Sequence, residues 1–190
     1  MDPLPLSREA LSAACHSGFE PKYLFFWGHT PSGDRPVGPW CLSQWFPSPF
    51  EVDGVSYATA EHFMMAGKAR LFDDDERLEQ ILAASSPGEA KALGRKVRDF
   101  DDATWKEHCF DIVVQGNEAK FAATEVLRSF LLSTEKRVLV EASPRDRIWG
   151  IGLGKDNPKA LHPDTWHGRN LLGFALMQAR SRLAAVEEPR

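Results

Sequence analysis

At Thr59 the spacing of apolar residues changes from strand-like to helical, and this change limits what the chain can fold into. Ahead of it, short apolar runs alternate with turn formers. Tyr23-Leu24-Phe25-Phe26-Trp27 reads as a strand, the loop to Pro39 carries Gly28, Pro31, Gly33, Pro36 and Gly38, and Cys41 to Phe46 reads as a second extended piece. Phe50-Glu51-Val52 and Val55-Ser56-Tyr57 flank Asp53-Gly54, the favoured two-residue turn of a hairpin. Beyond Thr59, which suits an N-cap, Ala60, Phe63, Met64, Gly67 and Leu71 fall at helical spacing. Ser86-Pro87-Gly88-Glu89 and Thr104-Trp105-Lys106-Glu107 each match a capping box and open further helices, and Glu125 to Leu132 forms another. Arg137 to Glu141 reads as a short strand, and a glycine- and proline-rich loop from Arg147 to Gly168 precedes a last helix over Asn170 to Leu183. The expected class is α+β, predominantly helical, in a compact single domain with a small N-terminal strand and hairpin region.

With 190 residues and 43% hydrophobic content, the chain supports one substantial core. Residues 1–22 read as a loosely attached arm with room for a short helix over Ser7 to Cys15, and residues 23–186 as the domain. Cys15, Cys41 and Cys109 lack disulfide or zinc spacing. No apolar run reaches the ~20 residues that span a bilayer, and Met1-Asp2-Pro3-Leu4-Pro5 lacks a signal-peptide layout. The expectation is a cytoplasmic protein with no membrane partner. A formal charge of -4 argues against non-specific coating of nucleic acid, which draws its affinity from phosphate neutralisation. A local basic groove remains compatible with that charge.

The chemistry-bearing residues form three groups. Glu61 sits in the first turn of an apolar-faced helix, where the helix N-terminus favours a carboxylate and where burial without function would cost several kcal/mol. His62 faces another side and reads as a packing or hydrogen-bonding histidine. Asp146 lies in the turn Ser143-Pro144-Arg145-Asp146-Arg147-Ile148-Trp149-Gly150, whose glycine permits close backbone approach. The third group is aromatic and basic: Phe26, Trp27, Trp45, Trp105 and Trp149 offer stacking faces, and Lys68, Lys91, Arg95, Lys96 and Arg98 form a basic set across two helices. Gly150-x-Gly152-x-Gly154 opens no helix, so the dinucleotide fingerprint is not met, and no nucleophile-elbow, zinc-protease or phosphate-loop motif occurs. A site of carboxylates, aromatics and basic residues, with neither metal nor cofactor, suits cleavage of a glycosidic bond.

The ordered set Ser43-Gln44-Trp45-Phe46, Ala60-Glu61-His62-Phe63 with Lys68, Gly94-Arg95, Trp105, Lys120-Phe121, Asp146 with Trp149-Gly150, and Asn170-Leu171-Leu172-Gly173 resembles the NADAR superfamily of YbiA-like N-glycosidases. The resemblance spans about Tyr23 to Leu183. It implies a YbiA-like fold and hydrolysis of the bond between ribose and a nitrogenous base, in ADP-ribosylated guanine or in ribosylaminopyrimidine phosphates of riboflavin synthesis. It implies Glu61 as catalytic carboxylate with Asp146 and Trp105 as partners. Phe26, Trp27, Gln44, Trp45, His62, Lys68, Arg95, Trp149, Gly150 and Asn170 are the substrate-binding candidates. The expected partner is a nucleotide-sugar or an ADP-ribosylated base, including a modified base in single-stranded nucleic acid. A module that binds ADP-ribose or an NAD derivative without cleaving it is the alternative.

Overall fold

The computed structural model describes residues 4–32 and 34–186. The first three residues of the expected arm, and Gly33 in the expected loop, lie outside the described residues. Helix α1 (Arg8–His16) is capped by Ser7, and strand β1 (Tyr23–Phe26) follows. The hairpin of β2 (Phe50–Val52) and β3 (Val55–Tyr57) turns at Asp53 and Gly54, whose φ angles of 51° and 77° are those a two-residue hairpin turn requires. Six helices and one strand complete the described architecture: α2 (Ala60–Leu71), α3 (Asp75–Leu82), α4 (Pro87–Gly94), α5 (Asp102–Ala122), α6 (Glu125–Leu132), β4 (Val138–Glu141) and α7 (Leu171–Ala185). The class is α+β with helix dominant, as the change of period at Thr59 indicates.

Helix α2 is the hub of the fold. Thr59 caps it, and Ala60 through Ala66 are all buried because α3, α4 and α5 surround it. The approach of α5 depends on Gly116, where a Cβ would stand 2.5 Å from Cδ1 of Phe63. A mid-helix glycine costs about 1 kcal/mol against alanine, and the closer helix contact offsets that cost. Strand β4 pairs in parallel with β1, Tyr23 opposite Val138 and Phe26 opposite Glu141. Val138, Leu139 and Val140 are fully buried, as a parallel strand covered on both faces requires. Helix α7 supplies part of that cover, and Gly173 lets it lie against the strand, since a Cβ there would fall 2.1 Å from the Leu139 carbonyl oxygen.

Local expectations are corrected at four places. Cys41 to Phe46 is not extended, because Pro39–Leu42 forms a 3-10 turn and the Cys41 and Ser43 carbonyls point inward to accept from Lys120 Nζ on α5, at 2.6 and 2.8 Å. The cap of helix α5 lies three residues before the expected one, since Asp101 Oδ1 accepts from both the amide and the hydroxyl of Thr104. Asn170 lies outside α7, in the left-handed conformation with φ 57°. The segment before β1 is more firmly attached than a loose arm: Leu11 is fully buried, α1 packs on the 3-10 turn Pro163–Thr165, and Arg8 donates to the Trp166 carbonyl at 3.1 Å.

Lys120 therefore anchors the stretch that leads into Ser43-Gln44-Trp45. Burial pushes its pKa down to about 7. Its nitrogen carries two N–H donors even when neutral, so both carbonyls stay partnered around neutral pH. Lys120→Met leaves them unpaired and is expected to lower the unfolding free energy by about 1–3 kcal/mol, read as a lower urea midpoint at unchanged slope. An unchanged midpoint would show that the clamp contributes nothing to stability.

Candidate active site

Six separate parts of the chain wall a cavity of about 350 Å³. The stretch after the 3-10 turn contributes Ser43, Gln44 and Trp45, and the start of α2 contributes Glu61, Met64 and Met65. Lys91 of α4 and its C-cap Arg95 form a basic side, and Trp105 enters from the first turn of α5. Glu141 at the end of β4 and Asp146, Ile148 and Trp149 in the following turn close the opposite wall, with Leu172 of α7 behind them. A larger surface hollow of about 730 Å³ near Trp40 and Phe130 carries only Arg35 and Glu125 as charged groups. Volume therefore does not identify the site; convergent chemistry does.

Each polar group in the smaller cavity is positioned by its own element. Thr59 starts α2 so that Glu61 occupies its first turn, and the Glu61 amide donates to the Gln44 carbonyl at 3.0 Å, joining the two walls. The Glu61 side chain is 4% exposed. Burial raises its pKa, Lys91 opposes that rise, and so do a hydrogen bond from Trp45 and the charge of Arg95, while Asp146 adds to it. Gln44 is oriented by Asn117, whose Nδ2 donates to Gln44 Oε1 at 3.0 Å. Asp146 closes an Asx-type turn: its Oδ1 accepts from the amides of Ile148 at 2.8 Å and Trp149 at 2.7 Å. Gly150 lies beneath, where a Cβ would come within 2.9 Å of the Glu141 carbonyl oxygen. Burial pushes the Glu141 carboxyl up to about 8, with Asp146 and Glu61 adding to the rise and Lys91 opposing it.

The structure thus brings together Glu61, Asp146, Trp105, Gln44, Trp45, Arg95 and Trp149. Six other candidates stand elsewhere. Phe26 and Trp27 line a different hollow with Trp40 and Pro144. His62 is spent structurally, bonding Thr59 Oγ1 at 2.8 Å and the Ala84 carbonyl at 3.1 Å. The Lys68 ammonium lies over Phe100, 3.9 Å from its centroid, with the Trp105 ring at 5.6 Å, so it stands behind the wall. Gly150 supports the wall without lining it. Asn170 is fully buried and pins β4, accepting from the Glu141 amide and donating to the Leu139 carbonyl, both at 2.9 Å.

Sequence reasoning overlooked Glu141 and treated Lys91 only as one of a basic set. The one sequence hint for Glu141 was its place directly after the apolar run Val138-Leu139-Val140, which does not by itself tell an inward acid from a solvated one. Among the described residues no group of three His, Cys, Asp or Glu is arranged to hold a metal ion. No described helix is long and apolar enough to cross a membrane.

Comparison with known proteins bears on this geometry. The NADAR domain model matches residues 25–184. The chain is 42% identical over 164 residues to N-glycosidase R617 of Acanthamoeba polyphaga mimivirus, covering 84% of this chain and 95% of that one. It is 34% identical over 137 residues to N-glycosidase YbiA of Escherichia coli strain K12, covering 72% and 76%. The NMR structure of the E. coli protein YbiA superimposes with a TM-score of 0.70 at 27% identity, over 90% of this chain and 92% of that one.

Because Lys91 opposes the rise in pKa of both cavity glutamates, Lys91→Met is expected to raise both further. Carbon-13 carboxyl titration in labelled protein reads the shift directly; unmoved resonances would mean that the Lys91 charge does not reach the cavity.

Proposed function

The chain belongs to the NADAR family, and from that premise we propose that its cavity is the active site of an N-glycosidase, hydrolysing the bond between a ribose and a nitrogenous base. The observation that carries this reading is the burial of Glu61 opposite Asp146 in an aromatic-walled cavity. A buried carboxylate with no salt bridge among the described residues weakens a fold, so its presence calls for a function. The related proteins named N-glycosidases point to the same chemistry.

In this reading the ribose lies between Glu61 and Asp146, and the base stacks on Trp105, Trp149 or Trp45, each stacked face worth about 1–3 kcal/mol. As the bond from C1′ to nitrogen lengthens, positive charge grows on the sugar. A carboxylate already held in a water-poor cavity stabilises that charge without reorganising. The attacking water is oriented by the same carboxylates. Arg95 and Lys91 take phosphate at the basic side.

The cavity volume of about 350 Å³ is at the small end of ligand pockets, roughly 300–1,000 Å³. It suits a nucleoside-sized group, with anything attached to it lying outside. Two substrates meet that condition: an ADP-ribosylated guanine, free or in a single strand, and a ribosylaminopyrimidine phosphate. The three free cysteines fit a reducing compartment, and we place the reaction in the cytoplasm.

Incubation with an ADP-ribosylated guanine oligonucleotide and, separately, with a ribosylaminopyrimidine phosphate is expected to release base and sugar from one of them, read by mass. Glu61→Gln is expected to cost about 10³-fold or more in turnover with thermal stability unchanged or raised. Intact ligand after long incubation, with tight binding that Glu61→Gln leaves unchanged, would instead identify a non-catalytic binding module.

A further inference from the structure

We propose that Glu141 is the general acid of this cavity, holding at neutral pH the proton that the departing base takes up, an assignment that rests on the N-glycosidase reading above. Its backbone is fixed on both sides, the amide donating to Asn170 Oδ1 at 2.9 Å and the carbonyl accepting from the Ile151 amide at 2.9 Å. The side chain therefore projects from a rigid strand end into the cavity wall. There Oε2 is shielded from solvent and has no hydrogen-bond partner among the described residues. A charged carboxylate oxygen in that position would be costly; a protonated carboxyl costs less, and one completed by a ligand atom least.

The other two carboxylates are differently equipped. Glu61 of α2 has Lys91, Trp45 and Arg95 beside it, all three opposing the rise that burial causes in its pKa. Asp146 has its Oδ1 occupied by the amides of Ile148 and Trp149. Glu141 faces both of these acids, with Lys91 of α4 as the opposing cation. Three carboxylates sharing one small cavity cannot all ionise at little cost, so the least partnered one keeps its proton. Its elevation to about 8 by burial and by the two facing acids agrees with that division.

The step balances as follows. The bond from C1′ to nitrogen breaks with its electron pair remaining on nitrogen, and that nitrogen takes the proton from Glu141 Oε2. Water adds to C1′ and gives its proton to Glu61; Glu61 then releases a proton to solvent while Glu141 takes one up, so both carboxyl groups return to their starting states. The net reaction consumes one water and releases ribose and neutral base.

The test compares wild type, Glu141→Gln and Glu141→Asp on a nitrogen-linked substrate and on a 4-nitrophenyl riboside phosphate, whose leaving group departs without protonation. Glu141→Gln is expected to lose about 10²–10⁴-fold on the nitrogen-linked substrate and less than ~10-fold on the nitrophenyl one, with partial recovery in Glu141→Asp. Wild-type activity should fall as pH rises above about 8, and the Gln variant should lack that limb. Equal losses on both substrates, or none, would overturn the acid role while leaving the N-glycosidase reading intact. Failure of wild type on both substrates would overturn that reading and this assignment together. Without any substrate, the carbon-13 carboxyl resonance absent from Glu141→Gln should keep its protonated position at pH 6.5; a carboxylate position there also rejects the proposal.

Discussion

Helix α2 has almost no solvent face, and most of what is distinctive in this molecule follows from that burial. Ala60 through Ala66 are enclosed by α3, α4 and α5, so the N-terminal turn of α2 ends inside the protein rather than at its surface. A first-turn glutamate on an ordinary surface helix is solvated and contributes a few tenths of a kcal/mol through the helix dipole. Here the same residue is desolvated, which raises its pKa, and a surrounding set of groups opposes that rise. Trp45, Lys91 and Arg95 are that set. Their convergence requires α4 and the stretch after the 3-10 turn to meet at one end of α2.

The opposite wall depends on a different constraint. Parallel pairing of β1 with β4 joins segments far apart in the chain, and α7 covers the result. The strand end is held by the Asn170 side-chain amide, which bonds the backbone at both Leu139 and Glu141. The turn that follows is organised by Asp146 and by the close approach allowed at Gly150. Residues that read as ligand contacts in the sequence, Asn170 and Gly150, thus act one layer further out. They hold the acids in place and leave the cavity surface to Glu141, Asp146 and Trp149. His62 belongs to the same class, because its ring joins the start of α2 to the Ala84 carbonyl beyond α3.

Much of this was legible from short-range physics. The Asp53-Gly54 turn, the Thr59 cap and the helical spacing after it depend on backbone conformation within a few residues, so sequence reports them faithfully. Cys41 to Phe46 misled because its conformation is set from a distance: Lys120, far along the chain, draws the Cys41 and Ser43 carbonyls inward. The N-terminal segment misled similarly, since its periodicity is weak and what holds it is packing of α1 against a distant loop turn. At the site, Glu61, Asp146, Trp45, Trp105, Trp149, Gln44 and Arg95 were all named from the sequence and share one cavity. Glu141 was not, because an acid closing a short strand looks the same in sequence whether it meets solvent or two other carboxylates.

The sequence by itself determined the kinds of elements, the punctuation between them and the chemical types available for catalysis, because caps, turns and periodicity act over a few residues. Only the tertiary structure decided which of those side chains face one another. Burial, and with it the protonation of a carboxylate, is a property of what packs over a residue, and the groups that enclose Glu141 come from α2, α4 and the turn after β4.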